Sequence, residues 1–316
     1  MIGTLQSLRF IFVMMIFMSH FDYRDIRGFD AGGDCGVAFF FILSGFVCSL
    51  GYGQRIREGV FRYGDFIWKR LKKLYPLHLL CLLFFLLVSQ TVPDLKVLAN
   101  ALLLQSWVPD PDWYFSCNKV SWFLSSLLFC YVVFPWVYRH LSEYLTLAVL
   151  TACAVVYWLT PYDRVNAVLY VFPAVRFIDF YIGMLLYQFY ERKKTLSIPK
   201  GTELLLIFVL LLTLAVYPFT DAKLRNAPLY WVVLMPLILV FAQEKGLVSR
   251  LLKTKPMLFL GSLTMPVFLT HQMIIGILLH RLPEMPVMLM LMVCVFVTLT
   301  ISWGVQIIFS RLFRLR

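Results

Sequence analysis

LQSLRFIFVMMIFMSHF, residues Leu5–Phe21, decides how the rest of this chain is read. It is an apolar run of membrane-spanning character that nevertheless carries Arg9 and His20. Ionisable groups in such a run are costly and therefore usually functional. At ~100° and ~1.5 Å per helical residue, eleven steps return to almost the same azimuth and advance roughly 16 Å. Arg9 and His20 thus share one helix face, about three turns apart, one towards each side of a bilayer. An imidazole exchanges protons near neutral pH, and a guanidinium holds a phosphate or carboxylate. The plainer alternative is a polar residue that pairs helices, with the arginine snorkelling to the interface.

Outward from this run the same composition continues. Of 316 residues, 61% are hydrophobic and 15% charged, and the mean hydropathy is +0.80. That excludes an ordinary soluble domain and implies an all-α polytopic membrane protein, since backbone polar groups in lipid must be paired within helices. Apolar runs at 5–21, 36–53, 74–91, 120–138, 144–160, 166–190, 203–218, 229–243, 257–280 and 286–310 predict ten transmembrane helices. The sixth is the weakest, interrupted by Pro173, Arg176 and Asp179. The run Leu95–Val108 is too short to cross and reads as interfacial or re-entrant.

The formal net charge of +12 is first a topology signal. Lys and Arg crowd 54–73, 139–143, 191–202, 244–256 and the tail after Ser310, which is every second loop. The intervening loops hold acids such as Asp22, Asp25, Asp30, Asp34, Asp94, Asp110, Asp112 and Asp163. The positive-inside rule then puts both termini in the cytoplasm. No basic, aromatic-interleaved domain stands outside the membrane, so nucleic acid is not an expected partner. The basic segment 54–73 is equally suited to acidic lipid headgroups and to a dedicated anion site.

The seven cysteines show no metal or redox spacing, so no metal is expected; Cys35 and Cys117 both map to the outer side, where they can pair in an oxidising compartment. The first run has no small-x-small cleavage site and reads as a retained helix. No linker, low-complexity segment or internal repeat divides the chain, so residues 1–316 are read as one domain.

Short patterns recur in a fixed order. Gly36-Val37 precedes Phe40-Phe41-Ile42-Leu43-Ser44-Gly45-Phe46. Arg70-x-x-Lys73-x-Tyr75-Pro76 closes the basic segment. Trp122-x-Leu124-Ser125 leads into Phe134-Pro135, Arg176-x-x-Asp179-Phe180 precedes Gly183, and Leu260-Gly261-Ser262 precedes Phe268-Leu269-x-His271. With Arg9 and His20, this ordered set resembles the acyltransferase-3 type of integral-membrane acyltransferase over essentially the whole chain. Two departures stand out. Ser126-Leu127-Leu128 lacks the acid that many members carry after the Trp-x-Leu-Ser pattern. Lys73 replaces a second arginine, keeping charge but losing the bidentate fork.

The resemblance implies transfer of an acyl group, acetyl by default, from cytoplasmic acyl-CoA to a hydroxyl of an envelope or exported carbohydrate or glycolipid. It implies no bound cofactor, acetyl-CoA as donor substrate, and residence in a bacterial inner membrane among its lipids. Arg9, Arg70 and Lys73 are then candidates for the CoA phosphates. His20 is the candidate general base, with a transient acyl carrier as the alternative. Arg176, Asp179, His271 and Trp122 join the substrate-binding candidates. For Arg176 and Asp179 the competing reading is a neutralised pair holding helices, and for His271 a packing hydrogen bond or the orientation of His20. Ser44-Gly45, Gly51 and Gly53 are read as sites of close helix approach. A transporter or polysaccharide-export component, using Arg9, His20, Arg176 and Asp179 as a substrate or proton path, is the reading from a different class.

Overall fold

A computed structural model describes residues 2–23, 32–90, 92–193, 198–226 and 228–313. Asp25 and Asp30 of the first outer loop, and the tail beyond Phe313, lie outside them. Among the described residues there are helices and connecting turns and no β-strand. The longer helices are α1 (Gly3–Ser19), α2 (Gly33–Arg57), α3 (Tyr63–Ser89), α4 (Trp122–Arg139), α5 (Glu143–Leu159), α6 (Pro173–Arg192), α7 (Thr202–Val216), α8 (Pro228–Ala242), α9 (Lys255–Ser262), α10 (Thr264–Arg281) and α11 (Val287–Phe313). Six stretches are long and apolar enough to cross a membrane, or up to eight if two bent pairs each count as one span. That is fewer than the ten predicted.

The shortfall has local causes. α1 is apolar but only 17 residues long, and α6 carries Arg176, Asp179, Glu191 and Arg192. The predicted sixth run divides at Pro173. A wide π-type turn, Asn166–Val171, ends at Phe172, and α6 starts afresh with Pro173 in its first turn, where the missing N–H costs nothing. A 115° bend separates α5 from the turn at 162–171, and one of 59° separates α9 from α10. In the other direction α3 begins eleven residues before the predicted run, at Tyr63. Lys, Arg and Leu are good helix formers, so a charged segment continues an apolar helix without a break. Arg70 and Lys73 therefore stand one turn apart on a helix, not in a loop.

α1, α2, α4 and α6 form the packed centre. α1 lies against α2, α8, α9 and α10. Around them α5 buries no residue and α7 only Glu203 and Leu210. Exposed Leu83, Phe84 and Leu87 on α3, Leu211 on α7 and Phe296 on α11 are the surface expected to meet lipid acyl chains.

The closest crossing joins α2 and α6 through two glycines. A Cβ on Gly45 would collide with the Phe180 carbonyl, and one on Gly183 with the Ile42 carbonyl. Because each obstacle is backbone, no rotamer change relieves it. Gly183→Ala is expected to destabilise by about 1–3 kcal/mol or more through forced separation of the helices; a lowered thermal midpoint in detergent checks this. Gly53 is also a contact point, against Tyr138, but Gly51 has nothing within 4 Å of its Cβ direction and is no such site.

Segment 92–121 folds as a polar-bonded cap on one end of the bundle. The predicted interfacial run becomes two short helices, Leu95–Ala101 and Gln105–Trp107. Asn100 Nδ2 donates to Ser116 Oγ (2.6 Å), Ser121 Oγ to Asn100 Oδ1 (3.0 Å), and His78 Nε2 meets the Asn100 carbonyl (2.8 Å). Asn118 Nδ2 donates to the Leu269 carbonyl at 2.9 Å, fixing the cap to α10 two residues before His271. Cys35 and Cys117 are free thiols, so the disulfide the sequence allowed is not formed. Burial, reinforced by the Asp94 charge, pushes the Cys117 thiol up to about 11.

Candidate active site

α1 carries both residues of the opening motif, and the structure surrounds each with a different chemistry. Arg9 lies two turns into the helix, half-buried. Its charge is within range of Arg70, and Lys73 lies within range of both. Arg70 is held by aromatic faces, its guanidinium carbon 5.5 Å from the ring centre of Tyr52 and 5.1 Å from those of Phe66 and Tyr131. Its Nη2 donates to Cys48 Sγ at 3.5 Å, while its buried Nε has no partner. Arg70 is half-buried and Lys73 exposed, so the cluster grades from interior to surface. No carboxylate among the described residues lies within 4 Å of any of the three. Three cations with no counter-ion in a partly desolvated place form a ready anion site.

His20 caps the C-terminus of α1, where the last turn leaves carbonyls without helical partners. Its Nδ1 is 2.8 Å from the Ile16 carbonyl and 3.2 Å from Nε2 of His271, on α10. The two ring centroids are 5.1 Å apart. His271 is fully buried, and its Nδ1 faces the carbonyls of Phe268 (2.8 Å) and Val267 (3.1 Å). Carbonyls only accept, so neutral His271 carries its proton on Nδ1 and its lone pair on Nε2. The Ile16 carbonyl and the His271 lone pair, both facing His20 Nδ1, are acceptors, which places a proton on that nitrogen. An imidazole whose Nδ1 is held by a second group is the arrangement of an oriented base. Of the two readings of His271, a packing hydrogen bond or the orientation of His20, the geometry brings it to His20 across 251 residues of sequence.

The remaining candidates belong to a layer behind the surface. Arg176 and Asp179 are 2% and 0% exposed and paired, Nη1 to Oδ2, at 2.7 Å. Trp231 Nε1 donates to Asp179 Oδ1 at 2.6 Å, and Arg176 Nε donates to the Tyr170 carbonyl at 2.8 Å. The guanidinium carbon lies 4.9 Å from the Tyr170 ring centre and 5.6 Å from that of Phe41, leaving a buried Nη2 without a partner. Trp122, also buried, sits 4.8 Å from the Tyr170 ring, centre to centre. Arg176 and Trp122 meet at Tyr170 of the π-type turn, and Asp179 joins α6 to Trp231 of α8. The sequence reading passed over Tyr170 and Trp231, which lie in apolar runs with no motif to single them out.

A family model described as an acyltransferase domain matches residues 2–307. Among curated proteins, the acyltransferase MdmB of Streptomyces mycarofaciens is 37% identical over 117 residues, 34% of this chain and 29% of that relative. This alignment therefore spans less than a third of the relative's length. No solved structure matches the chain.

Proposed function

The chain belongs to this family of membrane acyltransferases, and from that premise we propose that it moves an acyl group, acetyl in the first instance, from acyl-CoA to a hydroxyl of an envelope or exported carbohydrate. The observation that carries this reading is the division of labour along α1. An uncompensated cation cluster stands around Arg9, and an oriented imidazole stands eleven residues, roughly 16 Å, further on. CoA has the same polarity, with phosphates at one end and the thioester at the end of the long pantetheine arm. Arg9, Arg70 and Lys73 hold the phosphates on the cytoplasmic side that the loop charges predict, and the thioester extends towards His20. In an inner membrane this delivers a cytoplasmic acyl group towards an outer-facing acceptor.

The chemistry follows from the orientation of the ring. His20 Nε2 takes the proton of the acceptor hydroxyl as its oxygen bonds to the thioester carbonyl carbon. The carbon–sulfur bond then breaks, and the proton on Nε2 passes to the departing thiolate. The imidazolium formed in between is stabilised by the lone pair of His271 Nε2 and by the Ile16 carbonyl, both facing Nδ1–H.

Mass spectrometry of envelope glycans tests the reading in source cells carrying the wild-type gene, a deletion, or His20→Ala at matched membrane abundance. The expected result is an acyl mass present only in the wild type; an identical acyl profile in all three overturns it. Donor binding separates enzyme from transporter, because a sugar exporter has no reason to bind acetyl-CoA. In purified protein, Arg70→Ala or Lys73→Ala is expected to weaken acetyl-CoA binding by about 1.5–3 kcal/mol, the loss of a charge-assisted phosphate contact. Calorimetric titration at low and high salt checks this, with a shallower salt dependence expected in each variant.

A further inference from the structure

A groove of ≈ 340 Å³, with no polar atom facing it, runs between α3, α10 and α11. Leu80 and Phe84 of α3 form one wall and Val297 and Ile301 of α11 the other; α10, against which both helices pack, makes the floor. Thr270 of the floor has a hydroxyl but donates it to the Pro266 carbonyl at 2.8 Å. The wall residues Leu80 and Phe84 are exposed, so the groove opens sideways to the bilayer. We propose that it seats the hydrocarbon chain of the acyl donor, so that the enzyme takes medium-chain acyl-CoA and prefers it to acetyl-CoA. This inference rests on the acyl-transfer reading and adds to it the class of donor.

Two helix registers join the groove to the candidate active site. On α3, Arg70, Lys73, Leu77, Cys81 and Phe84 recur at i, i+3, i+7, i+11 and i+14, which is one helix face. The face that carries two of the three cations therefore continues as a groove wall. On α10, His271, Ile274 and Leu278 recur at i, i+3 and i+7, and Thr270 directly precedes His271. Leu278 also packs on the cluster that holds Phe17 and Phe21, which flank His20 in sequence. The loop charges predict the same orientation for α3 and α10, cytoplasmic end first. The groove thus starts beside the two histidines and leads away from the cations.

Cations, imidazoles and an apolar slot follow one another along the bundle. An acyl-CoA has the same order: phosphates, thioester, acyl chain. A bilayer phospholipid does not, because its chains begin next to its phosphate and it has no thioester to set at the imidazole. From Thr270 to Leu278 the floor rises eight residues, roughly 12 Å, the extended length of about eight to ten carbons. The volume falls within the ~300–1,000 Å³ of small-molecule sites. A fully buried methylene is worth about fourfold in affinity, and one in a groove open on one side roughly twofold.

The test is competition for radiolabelled acetyl-CoA bound to the full chain in phosphatidylcholine nanodiscs. The competitors are acetyl-, butyryl-, hexanoyl- and octanoyl-CoA, each below its micelle range, against wild type, Leu80→Trp and Ile277→Trp. In the wild type the competing concentration is expected to fall about twofold per methylene, roughly sixtyfold from acetyl- to octanoyl-CoA. In either variant the series is expected to flatten, because an indole on the wall or the floor takes the volume of the chain, with acetyl-CoA binding within about twofold of wild type. The same slope in all three proteins, the mark of simple partition into the bilayer, overturns the assignment. So does a flat series in the wild type, the result of a groove already filled by a bilayer lipid chain. Thermal melts establish folding, and if Ile277→Trp fails to fold, the Leu80→Trp titration decides, since exposed Leu80 has room for a larger side chain. Acetyl-CoA bound with a flat series overturns only the role of the groove; a wild type that binds no acyl-CoA overturns the donor reading itself.

Discussion

His20→Ala is expected to lower acyl transfer by about 10²–10⁴-fold, the usual worth of a positioned general base, with acetyl-CoA affinity nearly unchanged. The separation of the two effects follows from distance: the cations that hold the donor are centred on Arg9, roughly 16 Å along α1 from the imidazole. Turnover under saturating donor, beside a direct binding titration, checks it. His20→Gln restores polarity without basicity, so it is expected to be as inactive as alanine. Wild-type turnover in either variant removes His20 from the chemistry. His271→Ala supplies a contrast, because His271 acts through His20. It is expected to leave measurable activity and to shift the pH–rate profile, since the group that stabilises the His20 imidazolium is gone; a helix-packing role would leave that profile where it was.

Asp179→Asn is expected to cost about 3–5 kcal/mol of stability, the typical penalty for stranding one member of a buried ion pair. Asparagine keeps the size of the side chain and an oxygen for Trp231 Nε1, now 2.6 Å from Asp179 Oδ1. It removes the charge opposing the Arg176 guanidinium, itself 2% exposed, and sets an amide N–H₂ where Oδ2 accepted from Arg176 Nη1. The double replacement Arg176→Met with Asp179→Leu takes out both charges and is expected to recover most of the thermal midpoint. Detergent melts of the single and double variants measure this directly. If the pair contacts substrate instead, the single variant loses turnover at near-normal stability and the double variant does not recover. The geometry favours the first outcome, because Trp231 and Tyr170 already occupy the positions around the pair.

Apolar runs were legible because helix formation in lipid is a local requirement: each segment must satisfy its own backbone. Every predicted run has a helical counterpart, yet the ends moved. α3 gained its basic first turns, which hydropathy hides, and the sixth run broke at Pro173, where the chain turns before the helix restarts. Arg9, Arg70 and Lys73 were assembled as a phosphate site through family resemblance, and the fold does bring them within range of one another. The aromatic faces that hold Arg70 come from α2, α3 and α4 and carry no signature in sequence. Tyr170 was passed over for the same reason.

The sequence by itself determined the helical class, the alternation of loop charge, and the eleven-residue spacing of Arg9 in α1 and His20 at its end. These follow from composition and from a fixed helical period, both properties of neighbouring residues. Only the tertiary structure decided that His20 meets His271, that Arg176 and Asp179 turn inward behind Tyr170, and that α3, α10 and α11 enclose one apolar groove. Those outcomes depend on how far each helix is rotated and how closely pairs cross. Rotation and crossing are set by contacts such as Gly45 against Phe180 and Gly183 against Ile42, between residues far apart in the chain.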